Sequence, residues 1–109
     1  MKNAKSELLE ELKLSGSTIK CALLKDVRCF DEKEHVEFAL PVGYTNEQLD
    51  AFYTSLDFWY DSGFGIQELK GIVWLQDGTW LERGEYDGSE WWEHKVLPEI
   101  PAKLTHHSP

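Results

Sequence analysis

Residues 68–96 read ELKGIVWLQDGTWLERGEYDGSEWWEHKV, and this stretch decides the fold. It holds four of the five tryptophans and two Asp-Gly pairs, Asp77-Gly78 and Asp87-Gly88. An Asp-Gly pair flanked by alternating apolar residues is the strongest short-range hairpin signal, because a type I′ turn needs positive φ at both central residues. The two pairs therefore predict a three-stranded antiparallel meander, with strands at about 68–76, 79–86 and 89–96.

The turns also predict which residues lie side by side across the meander. Two-residue turns place Gln76 opposite Thr79 and Tyr86 opposite Ser89. In one row the Arg83 guanidinium then lies over an indole, and in another a large ring covers two residues without side chains. These rows are Ile72–Arg83–Trp92 and Gly71–Gly84–Trp91.

The same register brings like charges together. It places Glu85 opposite Glu90 and Glu82 opposite Glu93, and directly opposed like charges destabilise a sheet. Two explanations are open at this point. Either the register slips at the second turn through a longer loop, or the carboxylates wait for a cationic partner.

The N-terminal part predicts one short helix and two strands. SELLEELK at 6–13 has helical spacing of its leucines, with Ser6 as a plausible N-cap. From Thr18 the period becomes two: Ile19, Cys21 and Leu23 alternate with more polar or smaller residues, which predicts a strand to about Val27. A second strand is predicted at 35–42, at a sheet edge or ending at its proline.

The best helix signal begins at Thr45, which forms a capping box with Gln48. Apolar and aromatic residues continue at helical spacing to about residue 60, and Gly63 is a natural terminator. The resulting fold class is α+β in the order α-β-β-α-β-β-β. We expect an antiparallel sheet that ends in the meander, with the 45–60 helix packed on one face.

Length and composition set the domain organisation. The chain has 109 residues, which suits one domain at 1–101 followed by a flexible tail at 102–109. No apolar run approaches the ~20 residues of a membrane helix, and the start is too polar for a signal peptide. We therefore expect a cytoplasmic protein with Cys21 and Cys29 reduced, and neither a cofactor nor a metal.

The net charge of −9 is unevenly distributed. Residues 47–93 hold eleven acidic residues against Lys70 and Arg83, so this part alone nets −9. Such a field repels nucleic acid and membranes and attracts basic partners. It also serves solubility alone, which is the commoner meaning of an acidic composition.

The C-terminal half resembles a group of small, mostly uncharacterised proteins of tailed bacteriophages and prophages. The resemblance lies in GTWLERGEYDGSEWWEHKVLPEIP and covers about Val42–Pro101, while residues 1–41 add nothing to it. In this group an acidic helix precedes a segment of the type DGTW…RGEYDGSEWWE…PEIP. The resemblance implies a phage-type protein in the cytoplasm of a bacterial host and carries no catalytic residue across.

Enzyme signatures are mostly absent. The sequence lacks G-x-S-x-G, a P-loop, H-E-x-x-H and the calcium pattern D-x-[DN]-x-[DN]-G. A cysteine beside His35 as a nucleophile pair, or the glutamates of the meander as a glycosidase pair, are weaker explanations than packing and solvation. We therefore expect a protein without catalytic activity.

Two functions remain. In the first, an exposed face of the meander binds another protein, since aromatic residues and arginine are the usual interface anchors. The partner would be basic, and the chain could inhibit a nucleic-acid-binding host protein by spacing carboxylates as a duplex spaces phosphates. In the second, the aromatic face makes a homodimer with a structural or accessory role. The candidate contact residues are Arg83, Glu85, Tyr86, Glu90, Trp91 and Trp92.

Overall fold

The computed structural model describes residues 1–28, 31–61 and 67–98. It confirms the α+β class and the predicted order of the main elements, and adds two very short strands. The elements are β1 (Lys2–Asn3), α1 (Ala4–Ser15), β2 (Ile19–Asp26), a 3-10 turn (Glu32–Glu34), β3 (Val36–Leu40), α2 (Asn46–Ser55), β4 (Trp59–Tyr60), β5 (Leu69–Leu75), β6 (Trp80–Tyr86) and β7 (Ser89–Lys95). The predicted helix end at Gly63, Cys29 and the tail at 102–109 lie outside the described residues.

Five strands form one antiparallel sheet in the order β3-β2-β5-β6-β7. The strand before Pro41 is at an edge, as the proline predicts. β7 forms the other edge, and β1 pairs with β4 in a separate two-stranded ribbon. The meander of β5, β6 and β7 therefore supplies three of the five strands and one border of the sheet.

Both helices pack on the same face of this sheet, which we call the inner face. Leu8 of α1 and Phe52 of α2 are buried in one core with the inward side chains of the strands. The core residues from the five-stranded sheet are Ile19, Ala22, Leu24, Leu40, Leu69, Val73, Leu75, Leu81 and Trp92, and Tyr60 joins them from β4. The opposite, outer face has no helix over it among the described residues, so the domain has two layers. Neither described helix is long and apolar enough to cross a membrane.

The helix boundaries differ from the prediction at two places. Asn3, rather than Ser6, caps α1, because its side chain accepts the Ser6 N–H at 3.0 Å. The capping box at Thr45 is confirmed, but α2 ends at Ser55 instead of about residue 60. Beyond α2 the backbone turns to pair with β1, where the Ala4 N–H bonds to the Phe58 carbonyl at 2.9 Å.

A register shift in β2 changes which residues it buries. The irregularity between Ile19 and Cys21 inserts a residue into the alternation. Ile19 is buried as predicted, but Ala22 and Leu24 follow it on the inner face, while Leu23 is 44% exposed on the outer face. The single alternation predicted through Ile19, Cys21 and Leu23 is therefore wrong beyond the bulge.

The second Asp-Gly turn has the predicted geometry. Asp87 and Gly88 have φ of 51° and 85°, the positive values that a type I′ turn requires. Tyr86 pairs with Ser89, and all seven pairs of β6 and β7 follow the predicted register. The possible slip at this turn is therefore excluded.

The first Asp-Gly turn is one residue longer than predicted. Leu75, rather than Gln76, bonds across the loop to Thr79, with its N–H 2.9 Å from the Thr79 carbonyl oxygen. Gly78 alone takes the positive φ, 88°, while the Asp77 carboxylate accepts the Thr79 N–H and hydroxyl at 3.0 and 2.6 Å. This three-residue loop is a common alternative for the same dipeptide.

Because of the longer loop, each side chain of β5 lies on the opposite face of the sheet from the one predicted relative to β6. Trp74 lies opposite Trp80 and Ile72 opposite Glu82, each one position from the predicted pairing. Ile72 is therefore not in a row with Arg83, and the Ile72–Arg83–Trp92 prediction is wrong for its first member. The Gly71–Gly84–Trp91 row is wrong for Gly71 for the same reason.

Candidate functional site

Arg83 is the centre of a buried polar network on the inner face. It projects from β6 beneath α1, and its side chain is only 1% exposed. The guanidinium donates to Glu90 at 2.6 Å, Tyr60 at 2.9 Å and Glu7 at 3.1 Å, and more weakly to the Leu69 carbonyl at 3.4 Å. These groups come from α1, β4, β5 and β7, so one side chain links the N-terminal helix to three strands.

Glu90 is the best-satisfied carboxylate of the network. Its side chain is fully buried at 0% exposure. Besides Arg83, it accepts the backbone N–H groups of Glu68 at 2.7 Å and Leu69 at 3.1 Å. A buried carboxylate is tolerated when it is paired with a cation and hydrogen-bonded in this way, so Glu90 fixes the start of β5 against β7.

The network is completed by Tyr60 of β4 and Glu7 of α1. The Tyr60 hydroxyl donates to Glu7, and burial together with this bond raises the pKa of Tyr60 above its usual value. Burial alone would lower the pKa of Arg83, but Tyr60, Glu7 and Glu90 more than offset it and keep the guanidinium charged. Lys2 approaches the other Glu7 oxygen at 3.4 Å, so two cations face two carboxylates.

Aromatic rings complete the environment of the guanidinium. Its carbon lies 4.9 Å from the Trp92 ring centroid and 5.5 Å from that of Tyr60, distances suited to cation–π attraction. The predicted Arg83–Trp92 contact is therefore confirmed, although it is buried. The Trp92 Nε1 is also buried and has no acceptor among the described residues.

Three of the six predicted contact residues are thus unavailable to a partner. Arg83, Glu90 and Trp92 are 8%, 2% and 6% exposed, because their shared face is the one that the helices cover. Their placement on an exposed surface was wrong. Chemically the network is closed: the guanidinium makes four bonds within the chain, so its contribution is to hold the fold together.

The other three predicted residues are accessible. Tyr86 is 77% exposed at the end of β6, and Glu85 beside it is exposed and accepts the Gly88 N–H at 3.0 Å. Trp91 is half-buried on the outer face, where its ring lies over Gly84 as predicted. The Glu85–Glu90 opposition is relieved because one carboxylate holds the turn and the other holds Arg83.

The second opposed pair also finds its partners within the chain. Glu82 lies opposite Glu93 on the outer face, and the Lys95 ammonium is 3.2 and 3.6 Å from their carboxylates. The hydrogen bond to Glu82 raises the pKa of Lys95. Indole N–H groups donate to both carboxylates: Trp80 to Glu82 at 3.3 Å and Trp91 to Glu93 at 3.0 Å. The cation that these residues were expected to await is therefore Lys95.

An apolar patch lies on the outer face, across the centre of the sheet. Leu23 pairs with Ile72 and Cys21 with Trp74, and Trp74 lies in turn opposite Trp80. Leu23 and Trp74 are 44% and 39% exposed. We call the five residues the open-face cluster: Cys21, Leu23, Ile72, Trp74 and Trp80.

Two lysines border the open-face cluster. Lys25 and Lys70 are exposed and directly opposite each other on β2 and β5. Neither has an ion pair or side-chain hydrogen bond with any other described residue. Like charges in this position are unfavourable. Glu37 lies opposite Lys25 on the other side of β2, and an acidic group from outside the chain would relieve Lys70. The sequence prediction missed this surface because the one-residue error at the first turn placed Ile72 and Trp74 on the face of Arg83.

Other kinds of site find little support. The described residues contain no group of three or more His, Cys, Asp or Glu side chains that could hold a metal ion. Cys21 is a half-buried free thiol. Comparisons with models of protein families, with curated proteins and with solved structures found no match for this chain.

Proposed function

We propose that this chain is a non-enzymatic protein-binding module that uses the outer face of its sheet. The observation that carries the proposal is the open-face cluster, an aromatic and aliphatic patch without a covering layer among the described residues. Clustered exposed apolar side chains with a polar border are typical of protein interaction sites. Tryptophan is enriched at the centres of such sites.

The chemistry of the face indicates the chemistry of the partner. The cluster fits an apolar surface, while Lys70, beside Lys25, fits a carboxylate on the partner's rim. Glu82 and Glu93 are already engaged by Lys95. We therefore infer a partner that combines an exposed apolar centre with at least one acidic group. The resemblance of residues 42–101 to phage proteins supports a partner in the cytoplasm of a bacterial host.

A second candidate uses the acidic helical side and a basic partner. No lysine or arginine occurs between Lys33 and Lys70, and α2 carries Glu47 and Asp50 in exposed positions without a basic residue in its last turn. This surface would attract a basic or nucleic-acid-binding host protein and block it. It ranks second because it lacks the apolar anchors that stable interfaces share.

Two variants separate these candidates, and each is the control for the other. Trp74→Lys alters the open-face cluster, and the double variant Glu47→Lys/Asp50→Lys reverses the charge of α2. Each protein is immobilised, exposed to bacterial lysate and its captured proteins are quantified by mass spectrometry, after circular dichroism has shown that both variants are folded.

The primary proposal requires a lysate protein that the wild type and the α2 variant both capture and that Trp74→Lys does not capture. The reverse pattern, with loss at moderate salt, supports the basic-partner candidate. Equal capture by Trp74→Lys and the wild type contradicts binding through the open-face cluster.

A further inference from the structure

The edge of β7 that faces away from β6 is open for pairing. β7 is the last strand of the sheet, and among residues 1–28, 31–61 and 67–98 no strand lies along its other side. It has seven residues, all in register with β6 and none of them proline. A straight edge strand presents unpaired backbone N–H and C=O groups and is a template for another strand.

Two apolar residues extend this edge. Val96 and Leu97, which follow β7 directly, are 58% and 76% exposed. Pro98 comes next and cannot donate a hydrogen bond to a strand ladder. The edge available to a partner strand therefore runs from about Ser89 to Leu97.

We propose that this edge pairs antiparallel with the same edge of a second copy, with His94 opposite His94 on a two-fold axis. The two five-stranded sheets then form one sheet of ten strands. This inference is independent of the open-face cluster and goes beyond the proposed function.

Symmetry and backbone geometry limit the registers that two copies of β7 can adopt. In an antiparallel pair, alternate residues direct their N–H and C=O groups to the same side. A symmetric pairing must therefore join residues whose numbers are both even or both odd. If the two-fold axis passes through Trp92, Glu93 of one copy lies opposite Trp91 of the other. If it passes through Glu93, two carboxylates lie opposite each other, which is unfavourable.

Centring on His94 gives a complementary set of side chains. Glu93 of each copy lies opposite Lys95 of the other. Each Lys95 ammonium, already 3.2 and 3.6 Å from Glu82 and Glu93 of its own chain, thus gains a further carboxylate from the second copy, and the two unlike-charge pairs are symmetric. The same register places Trp91 opposite Leu97 and Trp92 opposite Val96. The exposed apolar residues after β7 thus gain apolar neighbours, and the ladder ends at Pro98 where a donor is missing. This self-complementarity favours a second copy over an unrelated strand.

The arrangement has a consequence for binding. A two-fold axis perpendicular to the sheet keeps both outer faces on the same side. The two open-face clusters would then lie on one extended surface, and a partner with two sites could engage both copies at once.

Sedimentation velocity over a range of protein concentrations tests the proposal. The wild type is expected to dimerise as its concentration rises. Glu93→Lys places lysines opposite lysines, and Lys95→Glu places glutamates opposite glutamates, so each single variant should dimerise about tenfold more weakly or worse. Mixing the two variants restores both unlike-charge pairs, so the mixture should dimerise as the wild type does. Glu85→Lys, a charge reversal at an exposed position outside the paired edge, is the control and should leave the dimer unchanged.

Three outcomes overturn the inference. They are a wild type that stays monomeric at every concentration reached, single variants that dimerise as strongly as the wild type, and a mixture that does not recover. Trp74→Lys should leave the dimer intact, so loss of the partner and loss of the dimer are separate results. Circular dichroism of each variant is the control that any monomer observed is folded.

Discussion

The buried carboxylate of Glu90 offers the sharpest test of the structure. Replacing it by glutamine preserves its size but removes the charge beside Arg83. The glutamine has one acceptor oxygen where the carboxylate receives three hydrogen bonds, from Arg83 and from the N–H groups of Glu68 and Leu69. The amide NH2 would therefore face a donor, leaving at least one buried N–H without an acceptor.

The expected cost follows from burial. The side chains of Arg83 and Glu90 are 1% and 0% exposed and lie 2.6 Å apart. Breaking a buried ion pair by removing one partner costs about 3–5 kcal/mol, because the remaining charge stays buried. Glu7 still faces the guanidinium at 3.1 Å and limits the loss to that range. Since domains have unfolding free energies of about 5–15 kcal/mol, Glu90→Gln should remove a large fraction of the total.

Glu93→Gln is the matched control. Glu93 is on the same strand, but its side chain is 41% exposed and its ion pair with Lys95 is 3.6 Å long. Exposed pairs contribute about 0–1 kcal/mol, so this variant should change the unfolding free energy by about 0.5 kcal/mol or less. The two substitutions share their chemistry and differ in burial.

Urea unfolding followed by far-ultraviolet circular dichroism measures the difference. With an m-value of about 2 kcal/mol/M, a loss of about 4 kcal/mol lowers the midpoint by about 2 M. The slope should stay unchanged, because both variants expose the same surface on unfolding. Equal midpoints for Glu90→Gln and Glu93→Gln would refute the buried network and with it the inward orientation of Arg83.

Two further predictions concern Gly84 and Tyr60. A Cβ at Gly84 would lie 2.7 Å from the Trp91 Nε1, so Gly84→Ala should displace the ring, cost about 1–3 kcal/mol and lower the Tm in calorimetry; an unchanged Tm would contradict the ring's position. The raised pKa of Tyr60 means that the folded state keeps the phenol neutral. The stabilisation of the folded state by this neutral phenol is present below about pH 10 and is lost as the pH rises further, by at most about 1.4 kcal/mol per pH unit. Tyr60→Phe should be less stable at neutral pH, and its unfolding free energy should fall less steeply above pH 10; equal slopes would argue against a buried hydroxyl.

Local sequence signals predicted the elements well, because each depends on residues close in the chain. The Asp87-Gly88 turn fixed its own geometry and, through it, seven strand pairs. The capping box at Thr45 likewise involves a residue only three positions away. Signals of this range need no knowledge of the tertiary structure.

The register of β5 could not be derived with the same security. An Asp-Gly pair suits a two-residue turn and also a three-residue loop that ends with glycine in a left-handed conformation. The choice here accompanies the bonds from Thr79 to the Asp77 carboxylate. One residue of difference moves every side chain of the strand to the other face. This is why Ile72 and Trp74 were assigned to the face of Arg83, whereas they lie on the opposite face.

The burial of Arg83 depends on residues that are far away in the sequence. Glu7 precedes it by 76 positions and Tyr60 by 23, and nothing in the local pattern of β6 reports either. One clue was present: Glu85 and Glu90 are opposed in the predicted register, which left a register slip or a nearby cation as the two explanations. Arg83 is two residues from Glu85 along the same face of β6. Its role as that cation could have been inferred before its burial was known.

The positions of the charges also determine which experiments on this protein are informative. The buried polar network on the inner face contains Glu7, Arg83 and Glu90, so substitutions there change stability and would confound a binding assay. On the outer face, the cluster at Trp74 and the edge at Glu93 belong to surfaces that the described helices do not cover. Substitutions at those two positions should therefore alter recognition while the core stays intact. For this reason Trp74→Lys and Glu93→Lys can test separate surfaces, one for a foreign partner and one for a second copy, within the same folded domain.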